Sequence, residues 1–169
     1  MKISSKSCFG HRTTSVPVSR SETHCTLQSP ILWVHYESLG PENPALQAYP
    51  GTPAVFVFDR MLIEQQQFSY KRVAFLYECL LELPVTIRQG DVVAEVLDFA
   101  RRHAADGIVT SQAVDPRLRV FCNAFRDTLP VIILEPEPFV SLPSPVPLGR
   151  FNRYWRSVES LVWQNFECI

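Results

Sequence analysis

The sequence has little glycine and lacks the glycine-rich motifs that hold phosphate groups. Only six of its 169 residues are glycine, and neither G-x-G-x-x-G nor G-x-x-x-x-G-K-[ST] occurs. Both motifs need glycines so that backbone N–H groups can approach a phosphate closely. The G-x-S-x-G turn that presents a nucleophilic serine is also absent. The sequence therefore lacks common signatures of nucleotide-binding and serine-hydrolase sites.

Cysteine spacing, charge and the length of apolar runs argue against three further classes of protein. No two of the five cysteines have C-x-x-C spacing, so neither a zinc site nor a disulfide framework is expected. The formal net charge is -1, which gives no overall attraction to nucleic acid, and direct nucleic-acid binding is not expected. The longest apolar runs are too short to span a bilayer, so no membrane partner is expected.

Residues 1–29 differ in composition from the rest of the chain. They are rich in serine and threonine, and they contain four of the 16 basic residues but only one acidic residue, Glu22. They lack the apolar segment of a secretory signal, so two interpretations remain open: a disordered tail or a transit peptide. The predicted location is cytoplasmic, or plastid if this segment is a transit peptide. Residues 30–169 carry a net charge of -4.

Strand patterns alternate with helix patterns from residue 30 onward. Apolar residues run almost continuously over 31–36, 54–58 and 131–134, and weaker strand patterns cover 84–88 and 107–110. Continuous apolar runs favour strands that are covered on both faces, as in parallel sheets. Helical spacing follows over 69–83, after the capping residue Asp91, and over 118–129. We predict a Rossmann-like three-layer α/β fold with about five parallel strands flanked by helices over residues 30–140.

A proline-rich linker is predicted over 141–150, and an amphipathic helix over 151–169. The apolar face of this helix contains seven residues: Phe151, Tyr154, Trp155, Val158, Leu161, Val162 and Phe166. So much aromatic surface must pack on the sheet domain or on another chain. Two partners are considered: a second copy that docks through Phe151, Tyr154 and Trp155, or a separate flavin-binding chain. The cluster Tyr154-Trp155-Arg156 could also stack on bases or on a flavin, although packing is the more common role.

Ligands of parallel sheets bind at the carboxyl ends of the strands, and polar residues follow three of the predicted strands. These candidate site residues are His35, Tyr36 and Glu37 after the first strand, Asp59 after the second, and Ser111 and Gln112 after the fourth. His35 and Glu37 could form an acid–base pair, or simply cap the strand end. Asp59 could bind a ligand or cap the next turn. Ser111 and Gln112 could offer neutral hydrogen bonds or belong to an ordinary loop.

Three segments, in this order and spacing, resemble the amino-terminal α/β domain of DNA photolyases and cryptochromes. They are Ile-Leu-Trp-Val at 31–34, Glu-Asn-Pro-Ala-Leu at 42–46 and Pro-Ala-Val-Phe-Val-Phe-Asp at 53–59. The resemblance extends over about residues 31–160. It implies a Rossmann-like domain that often holds an antenna chromophore, either a folate or a deazaflavin.

The same resemblance implies that catalysis lies elsewhere. In the family, a large helical domain holds FAD and the damaged DNA, and this sequence ends at Ile169. FAD and photolyase catalysis are therefore not expected in this chain. The family's arginine-rich turn corresponds to residues 35–42, which contain no arginine, and Leu118 takes the place of the folate-binding carboxylate. These departures disfavour a bound folate.

Three functions follow as hypotheses. The first is a stand-alone photolyase-like domain that binds a ligand or a partner without catalysis of its own. The second is an antenna-chromophore subunit of a split photolyase or cryptochrome, which works with a separately encoded FAD-binding domain in light-dependent repair or signalling. The third is an unrelated enzyme on the same scaffold, for which only His35 and Glu37 argue.

Overall fold

A computed structural model describes residues 27–65, 68–138, 140 and 149–166, with only the backbone described for 164–166. Within these residues the chain forms five strands and six helices. The strands are β1 (Ile31–Val34), β2 (Ala54–Asp59), β3 (Thr86–Gly90), β4 (Ile108–Ser111) and β5 (Val131–Leu134). The helices are α1 (Pro44–Ala48), α2 (Arg60–Glu64), α3 (Tyr70–Leu81), α4 (Val92–Arg102), α5 (Pro116–Arg126) and α6 (Phe151–Phe166).

The five strands form one parallel sheet in the order β3-β2-β1-β4-β5. Helices cover both faces, which confirms the predicted fold class. The direction of winding reverses between β1 and β4, and such a reversal leaves a crevice at the carboxyl ends of the two strands. We call this place the β1–β4 crevice.

Strand β1 is buried along its whole length because helices lie on both sides of it. Ile31 and Trp33 pack in one core with residues of α4 and α5. Val34, on the other face, packs with Leu76 and Leu80 of α3. This burial on both faces explains why apolar residues run continuously along the strand instead of alternating with polar ones.

Several element boundaries differ from the prediction by one to three residues. β1 ends at Val34, so His35 and Tyr36 belong to the loop that follows. β3 covers residues 86–90 instead of 84–88. α5 begins at Pro116, two residues before its predicted start, because Asp115 caps the helix and proline suits the first helical position. The predicted cap of α4 is confirmed, since the Asp91 carboxylate accepts from the Ala94 N–H at 2.8 Å.

Three residues of the predicted tail, 27–29, contact the sheet domain. The Asp106 carboxylate accepts from the backbone N–H groups of Gln28 and Ser29. A Cβ at Gly107 would lie 2.5 Å from the end of the Leu27 side chain, so a larger residue there would require Leu27 to shift. Residues 1–26 of the predicted tail and residues 141–148 of the predicted linker lie outside the described residues.

The predicted carboxyl-terminal helix is present as α6, and its apolar face is only partly covered. Val158 and Val162 are buried, whereas Tyr154 and Trp155 are half-buried and Phe151 is 70% exposed. The Phe151 and Trp155 rings stack with their centroids 6.0 Å apart. Of the three aromatic residues in the first turns of α6, Phe151 is thus the one that is largely open to solvent. Across the described residues, no helix combines the length and the apolar character that a membrane crossing requires.

Candidate functional site

The β1–β4 crevice is closed by hydrogen bonds between the loops that follow the two strands. His35 comes directly after β1, and Ser111 ends β4. The Nε2 atom of His35 lies 3.0 Å from the Ser111 carbonyl oxygen and 3.2 Å from Ser111 Oγ. The backbone N–H of Glu37 donates to His35 Nδ1 at 3.3 Å. Because Nδ1 accepts, these partners assign the proton to Nε2, which donates to the Ser111 carbonyl.

Burial keeps the imidazole of His35 neutral. The side chain is 2% exposed, and its ring meets the Trp33 ring edge-on with centroids 5.5 Å apart. Loss of hydration lowers the pKa of His35 below its usual value, although the Ser111 carbonyl and the Glu37 carboxylate oppose this shift. His35 therefore acts here as a buried connection between β1 and β4.

The lowered pKa of His35 predicts a pH-dependent stability. An unfolded histidine gains its proton near pH 6.5, whereas the folded chain takes up this proton only at lower pH. The contribution to stability is therefore complete above about pH 7 and is lost as the pH falls from about 6.5 toward the folded pKa. We expect the Tm of the wild type to fall between about pH 7 and pH 5, and the His35→Gln variant to lose part of this slope.

Thermal unfolding monitored by circular dichroism across this pH range tests the expectation. The His103→Gln variant, which removes an exposed histidine after α4, is the control for the loss of an imidazole. Equal slopes for wild type and His35→Gln would contradict the assignment.

Glu37 connects the same two loops through its carboxylate, which accepts from the backbone N–H groups of Val114 at 2.7 Å and Asp115 at 3.0 Å. The His35 and Glu37 side chains thus bind different partners. This geometry favours the strand-end interpretation of the two residues over an acid–base pair.

Tyr36 adds a third connection, through the residue that caps α5. Its hydroxyl donates to Asp115 Oδ2, and the Arg117 guanidinium donates to the same carboxylate with a closest distance of 2.7 Å. The Arg117 side chain and the Tyr36 hydroxyl hold the pKa of Asp115 well below its usual range. Burial, helped by the hydrogen bond to Asp115, raises the pKa of Tyr36 to about 12, so its hydroxyl stays protonated. Phe68 packs edge-on against the Tyr36 ring.

The other two predicted site residues do not take part in this closure. The Asp59 carboxylate caps α2 and accepts from the Met61 N–H at 2.8 Å, as the capping alternative proposed. Gln112 is exposed, and its backbone N–H donates to the Leu134 carbonyl. The sequence reasoning missed Asp115 and Arg117. The Asp-Pro pair at 115–116 is a helix-start signal that could have revealed the first of them.

A small cavity of about 20 Å³ lies beside the crevice, above the ends of β1 and β2. Its lining includes His35, Tyr36, Asp59, Phe68 and Phe121. This volume suits a single water molecule. Drug-sized ligands and cofactors occupy pockets of about 300–1,000 Å³, so the arrangement described here has no room for a pterin or a flavin ring system at this position.

Comparisons with known proteins show the fold. No protein-family model matches the chain, and no curated protein matches it in sequence. A bacterial class III photolyase from Agrobacterium tumefaciens has 19% sequence identity and a TM-score of 0.52 over 82% of this chain. The hypothetical protein MJ0577 has 13% identity and a TM-score of 0.42, with 65% of this chain and 98% of that chain covered.

The chain therefore has a Rossmann-like α/β fold of the kind found in the amino-terminal region of that photolyase. The matched part is 33% of the photolyase chain. The resemblance inferred from residues 31–160 is thus supported at the level of the fold, and membership of the family remains a prediction.

Proposed function

We propose that this chain is a photolyase-like α/β domain without catalysis of its own, and that it acts by binding a protein partner. The observation that carries the proposal is the closure of the β1–β4 crevice. In open parallel sheets, the crevice at the reversal of strand order is the place where ligands bind. Here His35, Tyr36 and Glu37 fill that place with contacts to Ser111, Val114 and Asp115.

The closure also argues against an enzyme that uses His35 and Glu37. A general base must have a free nitrogen or oxygen within reach of the substrate proton. Both ring nitrogens of His35 have backbone partners, and the Glu37 carboxylate holds two backbone N–H groups. A substrate would have to break these bonds before either residue could act on it.

The partner surface that we propose is the aromatic end of α6, formed by Phe151, Tyr154 and Trp155. These residues share a helical face with the buried Val158 and Val162, so the covered face of the helix continues into an uncovered one. Clusters of exposed aromatic residues are typical of protein-binding surfaces, because they supply a large contact area at a low entropic cost. A separately encoded FAD-binding domain and a second copy of the chain are the two partners considered.

Affinity capture from extracts of the source organism tests this surface. We expect the full chain to retain a protein that is lost with the Phe151→Ser and Trp155→Ser variants. The Phe75→Ala variant, which removes an exposed aromatic residue from α3, should capture the protein as the wild type does. Equal capture by all four chains would contradict the assignment of α6.

An antenna-chromophore subunit is the second candidate, and the similarity of the fold to a photolyase region favours it. The 20 Å³ cavity argues against a chromophore at the β1–β4 crevice, because the chromophore would have to displace Tyr36 and Phe68. A pocket of about 510 Å³, however, lies at the same edge of the sheet beside Ser111 and Gln112. An absorption spectrum from about 300 to 500 nm separates the two candidates when it is recorded on chain purified from its own organism. Partner binding predicts protein absorption alone, whereas a blue or near-UV band that leaves on denaturation would favour the antenna subunit.

A further inference from the structure

Helix α3 has an exposed apolar stripe that is separate from its buried face. Tyr70, Ala74, Tyr77 and Leu81 follow one another at intervals of four, three and four residues, the spacing of a helix–helix seam. Tyr70 is 90% exposed and Leu81 is 64% exposed. The helix packs on the domain through Leu76 and Leu80, so this stripe takes no part in the core.

The charges of α3 are arranged in the direction that destabilises an isolated helix. Lys71 and Arg72 lie in the first turn, and Glu78 and Glu82 lie at the carboxyl-terminal end. Helix dipoles favour the opposite order, with acidic residues first and basic residues last. Glu78 and Glu82 are also four residues apart, a spacing at which like charges repel.

Other groups of this domain offset only part of the unfavourable order of charges along α3. The Arg72 guanidinium lies over the Phe68 ring, 4.3 Å from its centroid. Within the described part of the chain, Lys71, Glu78 and Glu82 form no ion pair. A second helix of opposite direction would offset these charges, because its acidic end would lie beside Lys71 and its basic end would lie beside Glu78.

We propose that α3 pairs with α3 of a second copy of this chain, antiparallel about a two-fold axis. This arrangement places Tyr70 against Leu81 of the second copy, and Ala74 against Tyr77 of the second copy. The small alanine thus faces a large ring, and the exposed stripe is covered. Lys71 lies beside Glu78 of the second copy, and the symmetry repeats each of these contacts.

Only the antiparallel direction satisfies the charges. In a parallel pair, the residues that flank one side of the seam would face Val73 and Leu80 on the other side, so Lys71 and Glu78 would not meet. In an antiparallel pair, the residues that flank one side of the seam meet each other, and these are Lys71 and Glu78. The seam is short, because 12 residues span about 18 Å. We therefore expect a weak dimer, with a Kd on the order of tens of micromolar.

Charge-swapped variants of the full chain test the pairing by sedimentation velocity at low salt, over about 1 to 300 µM chain, a range that brackets this Kd. The wild type should shift from monomer to dimer over this range. The Lys71→Glu and Glu78→Lys variants should each remain monomeric, because like charges then face each other twice. An equimolar mixture of the two should form a heterodimer, since one chain carries two acidic residues and the other two basic residues at these positions.

Two uncharged variants locate the contact surface. Leu81→Ala should weaken dimerisation at least tenfold, whereas Phe75→Ala should not change it. Phe75 is 62% exposed on the same helix but lies about 130° around the axis from the stripe. Circular dichroism of every variant checks that α3 and the fold remain intact.

Three results would overturn the proposal. One is a wild type that stays monomeric up to the highest concentration. Another is a mixture of the two charge variants that associates no better than either alone. The third is a dimer that is lost with Trp155→Ser but unchanged with Leu81→Ala, which would place the contact on α6.

Discussion

Replacing Trp33 with alanine is expected to lower the free energy of unfolding by about 3–5 kcal/mol, as for other large aromatic residues removed from a core. Trp33 is 2% exposed at the centre of the sheet. Its ring meets the ring of Phe125 edge-on at 5.0 Å and that of Phe121 at 6.2 Å, so it joins β1 to α5. The substitution removes these contacts and leaves a cavity beneath His35.

Urea unfolding at about 1 µM chain, below the concentration expected for dimerisation, measures this loss. The Phe75→Ala variant removes an exposed ring and should change the stability by less than about 0.5 kcal/mol. A loss below about 1 kcal/mol for Trp33→Ala would mean that the core around β1 can collapse around the missing ring.

The Asp115→Ala variant is expected to lose about 2–4 kcal/mol, more than other helix caps of this domain lose. Removing a capping carboxylate costs about 0.5–2 kcal/mol. Here the same carboxylate also receives the hydroxyl of half-buried Tyr36, and a polar group left without a partner costs about 1–3 kcal/mol. The Arg117 guanidinium loses its ion pair as well.

Asp91→Ala is the matched control, because Asp91 caps α4 through a single hydrogen bond to the Ala94 N–H. We expect this variant to lose about 1 kcal/mol in the same urea titration. Equal losses for the two variants would mean that the contacts of Tyr36 and Arg117 add nothing to the cap.

The pH dependence of Asp115 has a definite sign. Its pKa in the folded chain is lower than in the unfolded chain, where an aspartate has a pKa of about 3.9. The stabilisation is therefore complete above about pH 5 and is lost as the pH falls through the acid range toward the folded pKa. The difference in stability between wild type and Asp115→Asn should shrink over this range. A difference that stays constant to about pH 3 would contradict the pKa direction.

The closed crevice and the exposed stripe on α3 suggest a division of roles within one small domain. The β1–β4 crevice, where such folds hold ligands, is occupied by the chain's own side chains. Six of the ten exposed large apolar side chains of the described residues lie on α3 and α6. The contact surfaces proposed on α3 and α6 rest on these exposed groups.

Much of the fold could be predicted because its signals are local. The strand cores at 31–34, 54–58 and 131–134 and the helices α3, α4 and α6 have apolar patterns that need no distant contact to be recognised. The sequence pattern does not predict the short helix α2, because its five residues are too few to show the apolar spacing of a helix. The apolar run at 31–36 extends two residues beyond the end of β1, since the rings of His35 and Tyr36 continue the pattern of the strand.

The sequence by itself determined the class of fold and the edge of the sheet at which its polar residues gather. Strand patterns that alternate with helix patterns along the chain predict parallel strands with helical crossovers, and parallel strands bring their carboxyl ends to one edge. Only the tertiary structure decided what those residues do there. His35 and Ser111 are 76 positions apart, and Glu37 reaches Asp115 across 78. No local pattern encodes such a pairing, which exists only because the reversal of strand order sets β1 beside β4.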